Sequence, residues 1–137
     1  MNTCVRPDTR KALGVLDFCT RDLNEAAQVI HSLNYENFYL DLQTGQPKDR
    51  NLGELIALMH SELSEMLEGV RKNIPDSHLP HRRSEEVELA DLIIRALDYA
   101  GYRKLDIAGA VIEKLRYNTT RQDHTREARL AENGKKF

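Results

Sequence analysis

From Ser84 to Gly101 the chain reads Ser-Glu-Glu-Val-Glu-Leu-Ala-Asp-Leu-Ile-Ile-Arg-Ala-Leu-Asp-Tyr-Ala-Gly, a segment of helical character that is apolar on nearly every side and still carries Glu88 and Asp91. Val87, Leu89, Ala90, Leu92, Ile93, Ile94, Ala96 and Leu97 surround the two acids, the pattern of a largely buried helix. Ionised carboxylates beside a hydrophobic core are costly unless something compensates them, and otherwise they neutralise. A divalent cation removes that difficulty.

The preceding helix repeats the motif. Leu52, Leu55, Met59, Leu63, Met66 and Val70 recur at three- and four-residue steps, and Asn51 with Glu54 forms a plausible capping box. Glu62 and Glu65 lie at the margin of that stripe. At about 100° per residue, positions three apart differ by about 60°, so both acids of Glu62-x-x-Glu65 and of Glu88-x-x-Asp91 project from one side of their helix. Two such helices packed together present four converging carboxylates. The plainer account makes them surface acids or ion pairs, for instance Asp91 with Arg95 four residues on. Two pairs on successive apolar helices favour a metal site.

Oxygen-only ligands select Mg²⁺ or Mn²⁺, two or more per site, whereas zinc recruits nitrogen and sulfur. The histidines do not supply a zinc site. His78 and His81 sit in a proline-flanked loop without a matching pair, and His60 falls on the face away from the acids. A di-iron carboxylate bundle needs E-x-x-H pairs, and no histidine here has a glutamate three residues before it. No His-Asp dipeptide exists, which excludes the His-Asp phosphohydrolases.

The rest of the chain is organised around these helices. Its 137 residues suit one domain, and 40% hydrophobic content with no Trp and four prolines suits an all-α one. Residues 1–14 read as a loose lead-in. Asp22 and Glu25 open a first helix with Leu23, Ala26, Ala27, Ile30 and Leu33 on its apolar face, ending near Asn34, and 35–50 read as an extended connection. Two prolines make 74–81 a loop, Ser84 caps the third helix, and Gly101 stands where its C-terminal cap is expected. A fourth helix runs from about Asp106 to Arg121, followed by a basic tail over 122–137.

Charge is uneven along the chain: ten acids against five bases over 51–100, nine bases against five acids over 101–137. That split suits a site holding a cation and a polyanion, and equally suits two solvated faces. Cys4 and Cys19 are too few for a disulfide framework, and no run approaches the roughly 20 apolar residues that span a bilayer, so a cytoplasmic protein without membrane or nucleic-acid partners is expected.

With these residues in hand, the chain resembles the MazG-like all-α nucleoside triphosphate pyrophosphohydrolases, which share E-x-x-E followed by E-x-x-D. The stretches from Leu58 to Arg71 and from Glu86 to Asp98 look like a phage and bacterial branch of that family, and the similarity continues from Glu113 through Arg121. The resemblance implies a four-helix, oligomeric fold, homodimeric or homotetrameric, that cleaves a nucleoside triphosphate to the monophosphate and pyrophosphate, with purine (deoxy)nucleotides preferred and nucleotide-pool control as the role. It implies Glu62, Glu65, Glu88 and Asp91 as metal ligands, with Glu62 or Glu65 also the general base. Lys114, Asn118 and Arg121, which share a helical face, would contact phosphate, and His31 and Asn34 the base or sugar. The aromatic residues of the Tyr35 to Tyr39 segment are candidates for lining the base pocket.

Two other readings stand beside this one. A catalytically silent helical module would hold the same acids in salt bridges and use its basic tail on an acidic partner. A pyrophosphohydrolase of another phosphorylated metabolite, such as phosphoribosyl-ATP, would share the metal site.

Overall fold

The computed structural model describes residues 22–134, so the lead-in over 1–14, Cys4, Cys19, Lys135 and Lys136 lie outside the described residues. The described chain is all-α: α1 (Leu23–Phe38), α2 (Leu52–Lys72), α3 (Ser84–Arg103), α4 (Ile107–Thr120), a 3₁₀ turn (Gln122–His124) and α5 (Arg126–Leu130). Among the described residues no strand forms, only isolated bridges at Leu40–Pro47 and Pro75–Arg83. Asn24–Leu105 make one compact unit, and 106–134 belong to another.

Within the first unit α2 and α3 form the principal packed pair. Asn51 caps α2 by accepting the Glu54 N–H at 3.2 Å, as its sequence indicates, and Asn73 ends it in the left-handed region at φ 50°. The return arm of the capping box is not made, because the Glu54 carboxylate faces Arg50 at 3.5 Å instead. The loop that follows is fastened by Asp76, which is buried and accepts the backbone N–H groups of Leu79 (2.6 Å) and His78 (2.9 Å). Those bonds, the Leu79 one foremost, hold its carboxyl below the ordinary range. Backbone bonds from Asp76 to Arg82 and from Ser84 to Ile74 then close the loop and bring α3 back alongside α2.

Three boundaries differ from the sequence expectation. α1 continues past Asn34 to Phe38, since Asn34 turns its amide to Asp98 rather than to the backbone that a cap would satisfy. Ser84 is the first residue of α3 rather than its cap: it is buried against Gly69, and the Glu86 carboxylate accepts the Arg83 N–H in its place. Gly101 does not end α3, which runs to Arg103 and closes on Lys104 at φ 53°. Its missing side chain serves packing, because a Cβ there would collide with the Ala27 carbonyl and the His31 Cβ. Through that close approach α1 lies against α3, with Ala27 and Ala100 both buried.

In the second unit Asp106 caps α4 by accepting the Gly109 N–H at 2.9 Å, and Thr125 caps α5 through Ala128 at 3.2 Å. Part of the segment read as a tail is therefore helical.

Candidate metal centre and adjoining pocket

The Gly69–Ser84 contact sets the level at which the helices face each other. Counting back along α2 and forward along α3 brings Glu65 level with Glu88 and Glu62 level with Asp91. Side chains follow this register for three of the four acids. Glu62, Glu65 and Glu88 each offer a carboxylate oxygen, and these oxygens lie within 4.8 Å of one another, so the cluster can hold a metal ion. Glu62 is buried, Glu88 partly so, and Glu65 exposed. Asp91 stands outside this trio, one turn along α3, where it lines a pocket.

Burial, followed by the negative charge of Glu65, Glu62 and Asp91, raises the Glu88 carboxyl above its ordinary range. The trio is an oxygen-only donor set, the kind of ligand that hard cations take. Arg95 supplies a positive charge to Glu62: its Nε donates to Glu62 Oε1 at 2.5 Å. The four-residue spacing to Asp91 does not become an ion pair; Arg95 reaches across to α2.

Beside the acids a pocket of about 480 Å³ opens between α1, α2 and α3. Asn34, Phe38, Arg50, Glu54, Asp91, Arg95 and Asp98 form its polar and aromatic lining, with Leu55, Leu58 and Ile94 as its apolar wall. Asp98 organises one side. His31 Nδ1 lies 2.8 Å from Asp98 Oδ1, and the Asn34 amide donates to Oδ2 at 3.0 Å. Tyr39, 2% exposed, sits beneath, its ring 4.5 Å from that of His31 and 4.8 Å from that of Tyr102. Burial first, then the charge of Asp98 and a hydrogen bond to it, push the Tyr39 hydroxyl well above the usual phenol range. Of the aromatic residues in the Tyr35 to Tyr39 segment, only Phe38 lines the pocket; Tyr39 is core, and Tyr35 stacks parallel to it at 6.2 Å.

Lys114, Asn118 and Arg121 belong to the second unit. Lys114 Nζ and the Arg121 guanidinium lie 4.8 and 6.0 Å from the Tyr117 ring centre. Arg121 is also held by both carboxylate oxygens of Asp123. Asn118 Oδ1 is buried without a hydrogen-bond partner among the described residues.

Arg50 and Asp98 were not singled out by motif, Glu54 was read only as a capping residue, and Phe38 only as one of the aromatic residues of the Tyr35 to Tyr39 segment. Asp98 had a signal, since it follows Asp91 by two helical turns and shares its face. Arg50 had none: it lies in a loop, and packing alone brings it to the pocket, where it donates to the Phe38 carbonyl at 2.9 Å. Compared with known proteins, the chain matches no family model, no curated protein and no solved structure.

Proposed function

We propose that this chain is a metal-dependent pyrophosphohydrolase that cleaves a nucleoside triphosphate to the monophosphate and pyrophosphate. The observation that carries the proposal is the convergence of Glu62, Glu65 and Glu88 from two antiparallel helices, next to a pocket walled by Asp91, Asn34 and Phe38. Glu62, Glu65 and Glu88 would hold Mg²⁺ or Mn²⁺, with Asp91 completing the set. When bound, the ions supply Lewis-acid polarisation of phosphate oxygens and charge neutralisation for the leaving pyrophosphate.

The chain's own groups do the rest. Glu62 or Glu65 accepts the proton of the water that attacks the α-phosphorus, a task that requires a carboxylate within hydrogen-bond reach. The pocket receives the nucleotide, with the half-exposed face of Phe38 for stacking on the base and the Asn34 amide, fixed by Asp98, for polar contact. Lys114, Asn118 and Arg121 are assigned to phosphate by the family resemblance alone, as are the purine preference and the role in nucleotide-pool control.

A homodimer, or a dimer of such dimers, accompanies this reading. Ile56, Leu63, Leu67 and Val70 recur around one face of α2 and are all at least 42% exposed, and Leu89 and Ile93 of α3 are comparably bare. An apolar stripe of that extent calls for a covering surface.

The Arg95–Glu62 ion pair favours one rival, a silent module whose acids serve only salt bridges. A panel of nucleoside triphosphates with Mg²⁺ and Mn²⁺, resolving pyrophosphate from orthophosphate, separates the two. Pyrophosphate release that disappears in Glu65→Gln and Asp91→Asn supports the enzyme. No turnover with any nucleotide or phosphoribosyl-nucleotide would leave the silent module, and direct orthophosphate release would overturn cleavage between the α and β phosphates.

A further inference from the structure

Arg95 occupies an unusual position for a residue beside a cation site. Its Nε is bonded to Glu62, whose side chain is only 6% exposed, while the Arg95 side chain itself is 41% exposed and lines the adjoining pocket. A carboxylate so enclosed needs a positive partner, and the guanidinium supplies one. A divalent ion drawn to Glu62 meets that guanidinium as a like charge at close range, and the two compete directly where the ion takes Oε1, the oxygen that Arg95 holds.

We propose that Arg95 is an exchangeable counter-ion: it holds Glu62 until a divalent cation takes that carboxylate, then turns into the pocket and binds a phosphate oxygen of the substrate. The inference rests on the metal-dependent reading above and adds to it a coupling between cation and nucleotide. The geometry provides both ends of the movement. One end is the bond to Glu62. The other is the pocket, which already contains part of the Arg95 side chain and is lined by Asn34, Phe38 and Asp91. A released guanidinium there faces a phosphate with its bidentate donor fork, the geometry for which arginine is suited and lysine is not. Cation binding therefore frees an anion-binding group, and by linkage the nucleotide strengthens cation binding in return.

The test compares the wild-type protein with Arg95→Met and Arg95→Lys, using Mn²⁺ alone as the first probe and paramagnetic resonance to count bound ion. Removing the competitor is expected to tighten Mn²⁺ binding in Arg95→Met by about tenfold. With saturating Mg²⁺, an α,β-methylene nucleoside triphosphate is expected to bind Arg95→Met about tenfold more weakly than wild type, with Arg95→Lys between them. In wild type, the Arg95 Nε–H resonance, identified by its loss in Arg95→Lys, should move as Mg²⁺ is added. That measurement stands even where Arg95→Met does not fold. Unchanged or weaker Mn²⁺ binding in the folded variant, or an Nε–H resonance indifferent to Mg²⁺, overturns the exchange and leaves the metal reading intact. Undiminished analogue binding overturns the phosphate contact. Wild-type protein that binds no Mn²⁺ overturns the metal reading itself and this inference with it.

Discussion

Gly69 of α2 lies so close to Ser84 at the start of α3 that a Cβ on the glycine would fall 2.8 Å from the serine Cβ and nearer still to its hydroxyl. This contact is four residues from Glu65 and from Glu88, so it governs how the acids meet. A methyl at Gly69 forces the helices apart, an overpacking cost of about 1–3 kcal/mol, against which the better helix propensity of alanine returns about 1 kcal/mol. Gly69→Ala is expected to lower unfolding free energy by up to about 2 kcal/mol by these estimates, and Gly69→Val by more. The double change Gly69→Ala with Ser84→Gly should recover most of the loss, because it removes the atoms in the way. Denaturant melts of the three variants check this.

Glu88→Gln should stabilise the protein at neutral pH in the absence of divalent ions. A carboxyl whose folded pKa lies above its unfolded one contributes stability below the unfolded value and loses it as pH rises through the folded one. Glu88 is raised, by burial first and neighbouring acids second. The variant's advantage in melting temperature should therefore be present at pH 7 and vanish as pH falls to the ordinary carboxylate range. Mg²⁺ should raise the wild-type melting temperature, and Glu88→Gln should lose that response. A wild type indifferent to Mg²⁺, even with a nucleotide analogue present, would count against the metal site.

Asp98 holds the part-buried His31 and Asn34 and the buried Tyr39 hydroxyl together, so Asp98→Asn leaves these groups short of an acceptor. A loss of about 1–3 kcal/mol is expected. The Tyr39 phenol should also ionise at lower pH in the variant, since the charge and hydrogen bond that help raise it are gone, yet remain above the normal range because burial persists. Ultraviolet absorbance of tyrosinate against pH reads both effects.

The bare stripe on α2 predicts self-association. Sedimentation should give twice the chain mass or a multiple of it, and replacing Leu63 and Leu67 together by Glu should give single chains that keep their helical circular dichroism. Single chains of wild type at all concentrations would remove the dimer from the proposal.

Helix periodicity and capping are local properties, and the residues themselves determined them. The three- and four-residue recurrence in 51–72, the Asn51 cap and a fourth helix opening at Asp106 all appear where the sequence places them, because each depends on neighbours a turn away. The apolar surroundings of Glu88 and Asp91 likewise marked acids in need of a partner, although the largely buried helix that they indicate is not formed within one chain, where Leu89, Ile93 and Ile94 are 41–50% exposed. Only the tertiary structure decided who the partners are. Local spacing offered Arg95 to Asp91, but packing gave it to Glu62 on another helix. Gly101 has the sequence appearance of a helix end and is instead a helix interior, because α1 must approach α3 within the space of a side chain. Arg50, Asn34 and Asp98 meet at one pocket though 64 residues separate Asn34 from Asp98. Such choices are set by close packing and by the cost of leaving buried charge unpaired, and neither acts until the helices are assembled.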